Sequence, residues 1–478
     1  MLGIASMEAT IGQNGLLVPY RMFREKMGTK YNAFTRGLTI TYKPDIGPPK
    51  FAHLFEIILV SDGVFAIMLP RVMLSWVSKF ICPVREIFPA VRRIEPEFTA
   101  ELYHSQQVVL AKLREEFART HTSTILNMRA GTGKTFVAAA LIAHLRVRTL
   151  YVVINKVLLH QAIGDLDAAI TGISIAGYKD NPRADVVVVV INSALKMPRE
   201  LLNSFDLIIY DEVHMLCSES RRKLFWRVCP RYALGMSATT AQRVDGFDKF
   251  AIKMLCSPEP IIARDLAGYV ESANQFRGRV RAIDYYGDDE FTQNLTHEKT
   301  GKVFTHYMYR QFCDDLKRRE VCARALADLY DWRGPEGQKH NIYVFAEELD
   351  ILRVFVSTYR EMRQDMYADS EIAMFVGGMN DSAIEDAIAN KRVLLATYGY
   401  AGTGVSIVKM TAILFLTPRK SGMLQICGRI FRSGSDLSIA REIVDVVDRK
   451  TCLTRQFAVR RAAYEEYNMD IIHEKISV

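Results

Sequence analysis

Four short residue groups in this chain have side chains suited to holding and breaking a phosphoanhydride. They occur in a fixed order: Gly131-Thr132-Gly133-Lys134-Thr135, Asp211-Glu212-Val213-His214, Ser237-Ala238-Thr239 and Gln425-Ile426-Cys427-Gly428-Arg429-Ile430-Phe431-Arg432. Glycines at 131 and 133 allow backbone amides to face phosphate oxygens that a side chain would block. With Ala130 and Thr132 they predict a cradle for a triphosphate. Lys134 would reach the β- and γ-phosphates, and the Thr135 hydroxyl would bind magnesium. A helix starting at Thr135 would add the positive end of its dipole. Met128 stands where the general phosphate-loop pattern has glycine, which sets the loop apart from those of kinases and GTPases.

The acidic pair follows the apolar run Leu207-Ile208-Ile209-Tyr210. A buried strand ending in two acids delivers both carboxylates to the carboxyl edge of a parallel sheet, where ligands collect. Asp211 and Glu212 are therefore candidate magnesium ligands, and Glu212 is the candidate for orienting the attacking water. His214 could link this site to Ser237 and Thr239, whose hydroxyls could couple the acids to neighbouring loops. Arg429 and Arg432, three residues apart, are expected on one helical face, with Gln425 and Gly428 at fixed offsets before them. A guanidinium aimed at a γ-phosphate is the chemistry of an arginine finger. Gly402 and Gly404, after a strand-like run, could bring amides close to ATP or to a nucleic-acid phosphate.

These groups need strands that end at a common edge. Between about 100 and 265, Thr124–Met128, Arg148–Ile154, Asp185–Ile191 and Phe205–Tyr210 read as strands buried on both faces, and Thr135–Leu145 as a helix. A second series starts near Arg279, with strands at Asn341–Phe345, Ile372–Phe375, Arg392–Ala396 and Ala412–Leu416. Helical stretches at Ala323–Trp332 and Leu349–Arg363 separate them. The alternation predicts βαβ units and parallel sheets. Residues 1–95 lack a catalytic pattern. Strands are plausible there at Leu38–Tyr42, Phe55–Val60 and Val64–Leu69, with a helix near Val72–Phe80. The expected plan is α/β: an accessory, possibly substrate-binding domain at 1–95, then parallel-sheet domains at 96–268 and 269–478.

The 478 residues are too many for one ordinary domain. Hydrophobic residues make up 49% and charged residues 24%, as in a water-soluble globular protein. The net charge of +8 suits a polyanionic partner without requiring one. None of the eight cysteines forms a C-x-x-C pair, which argues against a zinc knuckle and for reduced thiols inside a cell. Neither a signal peptide nor an apolar stretch of membrane-spanning length is evident. The clusters Arg221-Arg222-Lys223, Lys317-Arg318-Arg319 and Arg460-Arg461 could touch nucleic acid or form solvated faces. Phe225-Trp226 reads as core rather than as a stacking platform.

With these residues placed, the chain resembles a superfamily 2 helicase over residues 100 to 440. Leu102-Tyr103-His104-Ser105-Gln106 is similar to the segment in which a glutamine reads adenine, with Gln107 as an alternative. Leu158-Leu159-His160-Gln161 and Asn192-Ser193 resemble the family's nucleic-acid-contacting motifs. Gly235-Met236-Ser237-Ala238-Thr239 followed by Arg243-Val244-Asp245-Gly246 is similar to the DExH branch of the xeroderma pigmentosum group B, T-even phage recombination and poxvirus transcript-release helicases. Tyr398 and Thr403-Gly404-Val405-Ser406 resemble the phage version of the ATP-contacting loop. Thr240 replaces the usual proline, and Thr403 and Ser406 stand where many relatives carry acids.

The resemblance implies two RecA-like domains, ATP and magnesium as cofactors, and 3′-to-5′ movement on nucleic acid, DNA rather than RNA. Implied partners are replication or transcription proteins. A soluble, intracellular monomer is expected, in host cytoplasm or virion if the source is viral. Alternatives are a transcript-release motor, an RNA helicase and a catalytically inactive nucleic-acid-binding scaffold. Retention of Lys134, Asp211, Glu212, Gln425, Arg429 and Arg432 argues against the last.

Overall fold

The computed structural model describes residues 8–43, 48–61, 63–119, 122–238, 246, 248–256, 259–270, 276–297, 301, 303–363, 370–401, 407–432 and 434–475. The chain divides into two compact units, the first comprising residues up to 129 and 133–270, the second residues 130–132 and those from 271 onward.

The first unit begins with a small sheet. A hairpin of β1 (Ala9–Gly12) and β2 (Gly15–Pro19) leads into helices α1 (Tyr20–Met27) and α2 (Tyr31–Gly37). Then come a ribbon, β3 (Thr39–Tyr42) and β4 (Lys50–His53), and the strands β5 (Glu56–Ser61) and β6 (Val64–Leu69). Helix α3 (Leu74–Phe80) and strand β7 (Val84–Glu86) complete it. The five-stranded sheet runs β5-β6-β2-β1-β7, with the ribbon outside it. Val64–Leu69 matches the sequence expectation, whereas the β1–β2 hairpin and α1–α2 carry no sequence signal strong enough to be read in advance.

This accessory part is anchored to the rest of the first unit. Ala52 and Leu54 are fully buried in the same apolar cluster as Leu150, Val187 and Ile208. Arg222 Nη2 donates to Phe51 O at 2.7 Å, and Arg71 Nη2 donates to Arg231 O at 2.8 Å. Arg222, considered as a nucleic-acid contact, is thus committed to holding the ribbon. Phe225 is core, as expected.

A separate two-stranded antiparallel pair joins β8 (Glu97–Phe98) to β11 (Ile170–Thr171). The main sheet contains β9 (Ser123–Asn127), β10 (Thr149–Val153), β12 (Ile175–Gly177), β13 (Val186–Val190), β14 (Leu207–Tyr210), β15 (Tyr232–Ser237) and β16 (Ile261–Ile262). Its order is β12-β13-β10-β14-β15-β9-β16, and every pairing is parallel. The valine run of β13 and the Leu-Ile-Ile-Tyr of β14 are buried because helices cover both faces. Among the helices are α4 (His104–Phe117), α5 (Lys134–Leu145) and α6 (Lys156–Ala169), the last capped by Asn155 accepting from Leu158 N.

The second unit has seven strands as well: β17 (Gly278–Tyr285), β18 (Ile342–Ala346), β19 (Ile372–Met374), β20 (Val393–Thr397), β21 (Ala412–Phe415), β22 (Arg441–Asp448) and β23 (Asp470–Lys475). They run β19-β20-β18-β21-β22-β17-β23, all parallel. Helices Leu316–Asp331 and Leu349–Met362 pack against this sheet.

Within two of the basic clusters, one arginine each departs from the expectation of a nucleic-acid contact or a solvated face. Arg318 is buried and paired with Asp448, and Arg460 is fully buried with Nε 2.7 Å from Asp445 Oδ2. Both guanidiniums neutralise core carboxylates and are unavailable to nucleic acid. Among the described residues, no helix is long and apolar enough to cross a membrane.

Candidate functional site

In the first unit the sheet's carboxyl edge gathers most of the singled-out residues. The loop from Ala130 to Gly133 leaves the end of β9, and α5 starts at Lys134. Gly131 and Gly133 have φ of 82° and 80°, a left-handed backbone that strains other residues. A β-carbon at Gly133 would also collide with Gln106 Nε2. Gln106, buried in the first turn of α4, therefore lies over the loop, and its Oε1 accepts from Tyr103 N at 2.9 Å. Gln107 is exposed and donates to Leu102 O instead.

Lys134 Nζ donates to Met128 O and Arg129 O, each at 3.3 Å, and stands 4.0 Å from Glu212 Oε1. Two carbonyls and a distant carboxylate are weak partners for an ammonium, and a phosphate could replace them. The Thr135 hydroxyl lies beside the buried Tyr151 hydroxyl. Tyr151 escaped the sequence reading because it sits inside an apolar strand and looks like core.

Asp211 and Glu212 follow β14 directly. Glu212 has φ of 46°, uncommon for a residue with a side chain, and its amide donates to Asp211 Oδ1 at 3.0 Å. Burial, followed by the neighbouring Glu212 charge, pushes the Asp211 carboxyl up to about 7, against the opposing pull of Lys134. A carboxylate so crowded favours a cation. Among the described residues no three His, Cys, Asp or Glu side chains cluster as a metal site. A divalent ion held by Thr135 and Asp211 would complete its shell with phosphate and water, as magnesium does.

His214 Nδ1 lies 2.8 Å from Ser237 Oγ and 3.5 Å from Glu212 Oε2. The histidine thus bridges the acidic pair and the end of β15, where Ser237 O also accepts from Met128 N at 3.0 Å. Thr239 lies outside the described residues, as do Thr240 and the Arg243-Val244-Asp245 stretch. Asn192 and Ser193 follow the carboxyl end of β13, and Gln161 is in the second turn of α6 beyond β10.

In the second unit, Met423–Cys427 is a short α-helix that tightens to a 3-10 turn at Gly428–Ile430 and ends there. Arg429 and Arg432 therefore do not share a continuous helical face as expected, since Arg432 lies past the helix end. Both are buried. Arg429 bonds the hydroxyl of Tyr343, a phenol that burial pushes upward and the two arginines pull down. Tyr343, like Tyr151, is hidden from sequence reading within a strand. Gln425 sits on the same short helix, whereas Gly402 and Gly404 lie outside the described residues.

Residues 99–242 match the family model described as type III restriction enzyme, res subunit. The chain is 28% identical over 480 residues to the "Putative ATP-dependent RNA helicase QP509L" of African swine fever virus, covering 96% of this chain and 92% of that one. It is 34% identical over 134 residues, 26% of this chain and 28% of the other, to the "DNA 3'-5' translocase XPB2" of Sulfurisphaera tokodaii. The solved structure of S. cerevisiae Dbp5 bound to RNA and ADP BeF3 matches with a TM-score of 0.51 at 14% identity, covering 78% of this chain and 94% of that one. That last likeness shows the fold, two RecA-like domains, and the sequence matches bear on the activity. The chain is thus similar to superfamily 2 helicases, and the matches support a nucleic-acid-dependent ATPase that uses ATP and binds nucleic acid.

Proposed function

We propose that the chain is an ATP-driven DNA translocase moving 3′ to 5′ on one strand. The observation that carries the motor reading is the convergence of Lys134, Asp211, Glu212, His214 and Ser237 on one sheet edge, with His214 within reach of both Glu212 and Ser237. The DNA reading is supported by the restriction-enzyme family model and by the similarity to a DNA translocase.

Amides from Ala130 to Thr135 cradle the phosphates, and Gln106 reads the adenine. Lys134 exchanges its carbonyl partners for the β- and γ-phosphates. Thr135 and Asp211 would hold a magnesium ion, which when bound would supply charge neutralisation for the phosphates. Glu212 orients the attacking water and accepts its proton. Arg429 and Arg432, with Gln425 on the same segment, are the proposed arginine fingers for the γ-phosphate, and Gly402 and Gly404 are the proposed further ATP contacts. His214, Ser237 and Thr239 relay the state of the γ-phosphate to the helices carrying Gln161, Asn192 and Ser193, which grip the strand by its phosphates. Such grip is sequence-independent and weakens with salt.

A second reading, an RNA helicase, is favoured by the name of the viral relative matched across 96% of this chain. ATPase rates with single-stranded DNA, duplex DNA, forked DNA and RNA, at two salt concentrations, separate the two. Greatest stimulation by single-stranded or forked DNA supports the translocase. Stimulation by RNA alone transfers the assignment to the second reading.

A further inference from the structure

The chain beyond the arginine segment ends in a helix and a strand that the motor reading leaves without a task. The helix Arg455–Glu466 is fixed to the second unit's sheet at β22. Arg460 Nε and the Tyr464 hydroxyl both reach Asp445 Oδ2 at 2.7 Å, and all three residues are fully buried. After the helix, Asn468 turns the chain with φ of 51°, and β23 pairs with β17 along the edge.

Tyr467 stands between these two anchors, 3% exposed. Its hydroxyl donates to Leu424 O at 2.9 Å. Its ring stacks on Phe431, with centroids 4.5 Å apart and planes within 7°. A β-carbon at Gly428 would stand 2.5 Å from the Tyr467 Oη but 3.5 Å from Cζ, so the phenol oxygen fills the space that glycine leaves open. Three contacts therefore meet the segment Gln425–Arg432 before, within and near the end of its run.

We propose that Tyr467 is a positioning residue for the arginine segment. Its hydroxyl and ring, held by the anchored C-terminal helix, set the backbone from Leu424 to Phe431 so that Arg429 and Arg432 present their guanidiniums in one orientation. Gly428 is glycine because the phenol oxygen packs against it. The inference rests on the role given to these arginines in the proposed function.

The test is a compensation experiment in the full chain, reading kcat and KM for ATP with saturating nucleic acid. Gly428→Ala is expected to lower kcat by about 10²-fold with little change in KM, the cost of an ångström-scale displacement of a catalytic group. Tyr467→Phe removes the oxygen that a new methyl would strike and keeps the ring. The double variant Gly428→Ala/Tyr467→Phe should regain at least about tenfold in kcat over Gly428→Ala alone. Tyr467→Ala should lower kcat while KM for ATP stays near the parent, and Tyr467→Phe, which keeps the ring on Phe431 but loses the bond to Leu424, should lower it less. A double variant no faster than Gly428→Ala overturns the inference. Arg429→Ala distinguishes the failures. If it abolishes turnover while compensation is absent, only the positioning role falls. If it leaves kcat intact, the arginine assignment falls and the inference with it.

Discussion

The two seven-stranded sheets are copies of one topology with different interiors. Numbered along the chain, the strands of each run 3-4-2-5-6-1-7. The sixth strand makes the contrast. In the first sheet it is β15, Tyr-Ala-Leu-Gly-Met-Ser, apolar until the serine at its end. In the second it is β22, Arg-Glu-Ile-Val-Asp-Val-Val-Asp, buried along all eight residues. Each of its four charged residues has a specific partner. Arg441 Nη2 donates to Ser435 Oγ at 2.8 Å and its Nε to Ile430 O, Glu442 meets Arg279 at 2.8 Å, Asp445 meets Arg460, and Asp448 meets Arg318. The first sheet keeps its polar chemistry at the strand ends, where a ligand can use it. The second draws charge into the interior and uses it to hold loops and helices around the arginine segment. One plan can thus support a binding edge or a rigid mount, depending on where charge is placed along a strand.

The contrast can be broken hardest at the arginines. Arg429→Ala is expected to lower nucleic-acid-stimulated kcat by about 10³-fold or more, measured in steady state, while thermal unfolding stays near the parent. Equal activity would leave the mount with nothing to hold. Next, Asp445→Ala should destabilise the second unit by about 3–5 kcal/mol, because Arg460 would remain buried without its counter-charge. Hydrogen exchange should show the loss in β17, β21 and β22 and spare β9, β10 and β14.

The third effect depends on pH. His340 is 1% exposed, stacks on Trp332 at 4.2 Å and has Nδ1 3.0 Å from Thr411 Oγ1. Burial, followed by Arg392, Arg441 and Arg279, pushes it down to about 4, and the Glu442 carboxylate 4.0 Å from Nε2 does not offset them. The unfolded chain takes up this proton first, near its ordinary value of about 6.5. The neutral ring's contribution is therefore present in full above that value and is lost as pH falls towards 4. Urea unfolding of the second unit should weaken between pH 6.5 and 4.5 by up to about 3 kcal/mol. His340→Gln should flatten that dependence. The smallest effect is expected at His214→Ala, which should lower nucleic-acid-stimulated turnover by about tenfold, or ~1.4 kcal/mol, and leave basal turnover closer to the parent. Loss of both in equal measure would make His214 a part of the hydrolytic site and no relay.

Much of this plan is legible in the sequence, for physical reasons that differ by element. β10, β13, β14 and β18 are apolar runs of strand length, and only burial on both faces produces such runs. The Gly131–Thr135 loop is legible because few side chains can surround a phosphate. β22 is hidden because its four charges imitate a solvated strand, and only long-range partners such as Arg279, Arg318 and Arg460 explain their burial. The same long-range pairing misleads at Lys317-Arg318-Arg319 and Arg460-Arg461, where neighbours in sequence suggest a basic surface. The helical pairing of Arg429 with Arg432 fails locally, since the helix tightens and stops at Ile430. Tyr151, Tyr343 and Tyr467 are invisible in advance because an aromatic ring in an apolar run does not announce what its hydroxyl touches.

The ribbon that inserts Ala52 and Leu54 beneath the first sheet has a practical consequence. Trimming the chain ahead of residue 96 would not liberate a tidy motor. It would strip a lining from the first parallel sheet and lay bare oily surface beside Leu150, Val187 and Ile208. A shortened protein of that kind should clump in solution, so the leading segment is a structural partner of the ATPase from the moment the polypeptide folds.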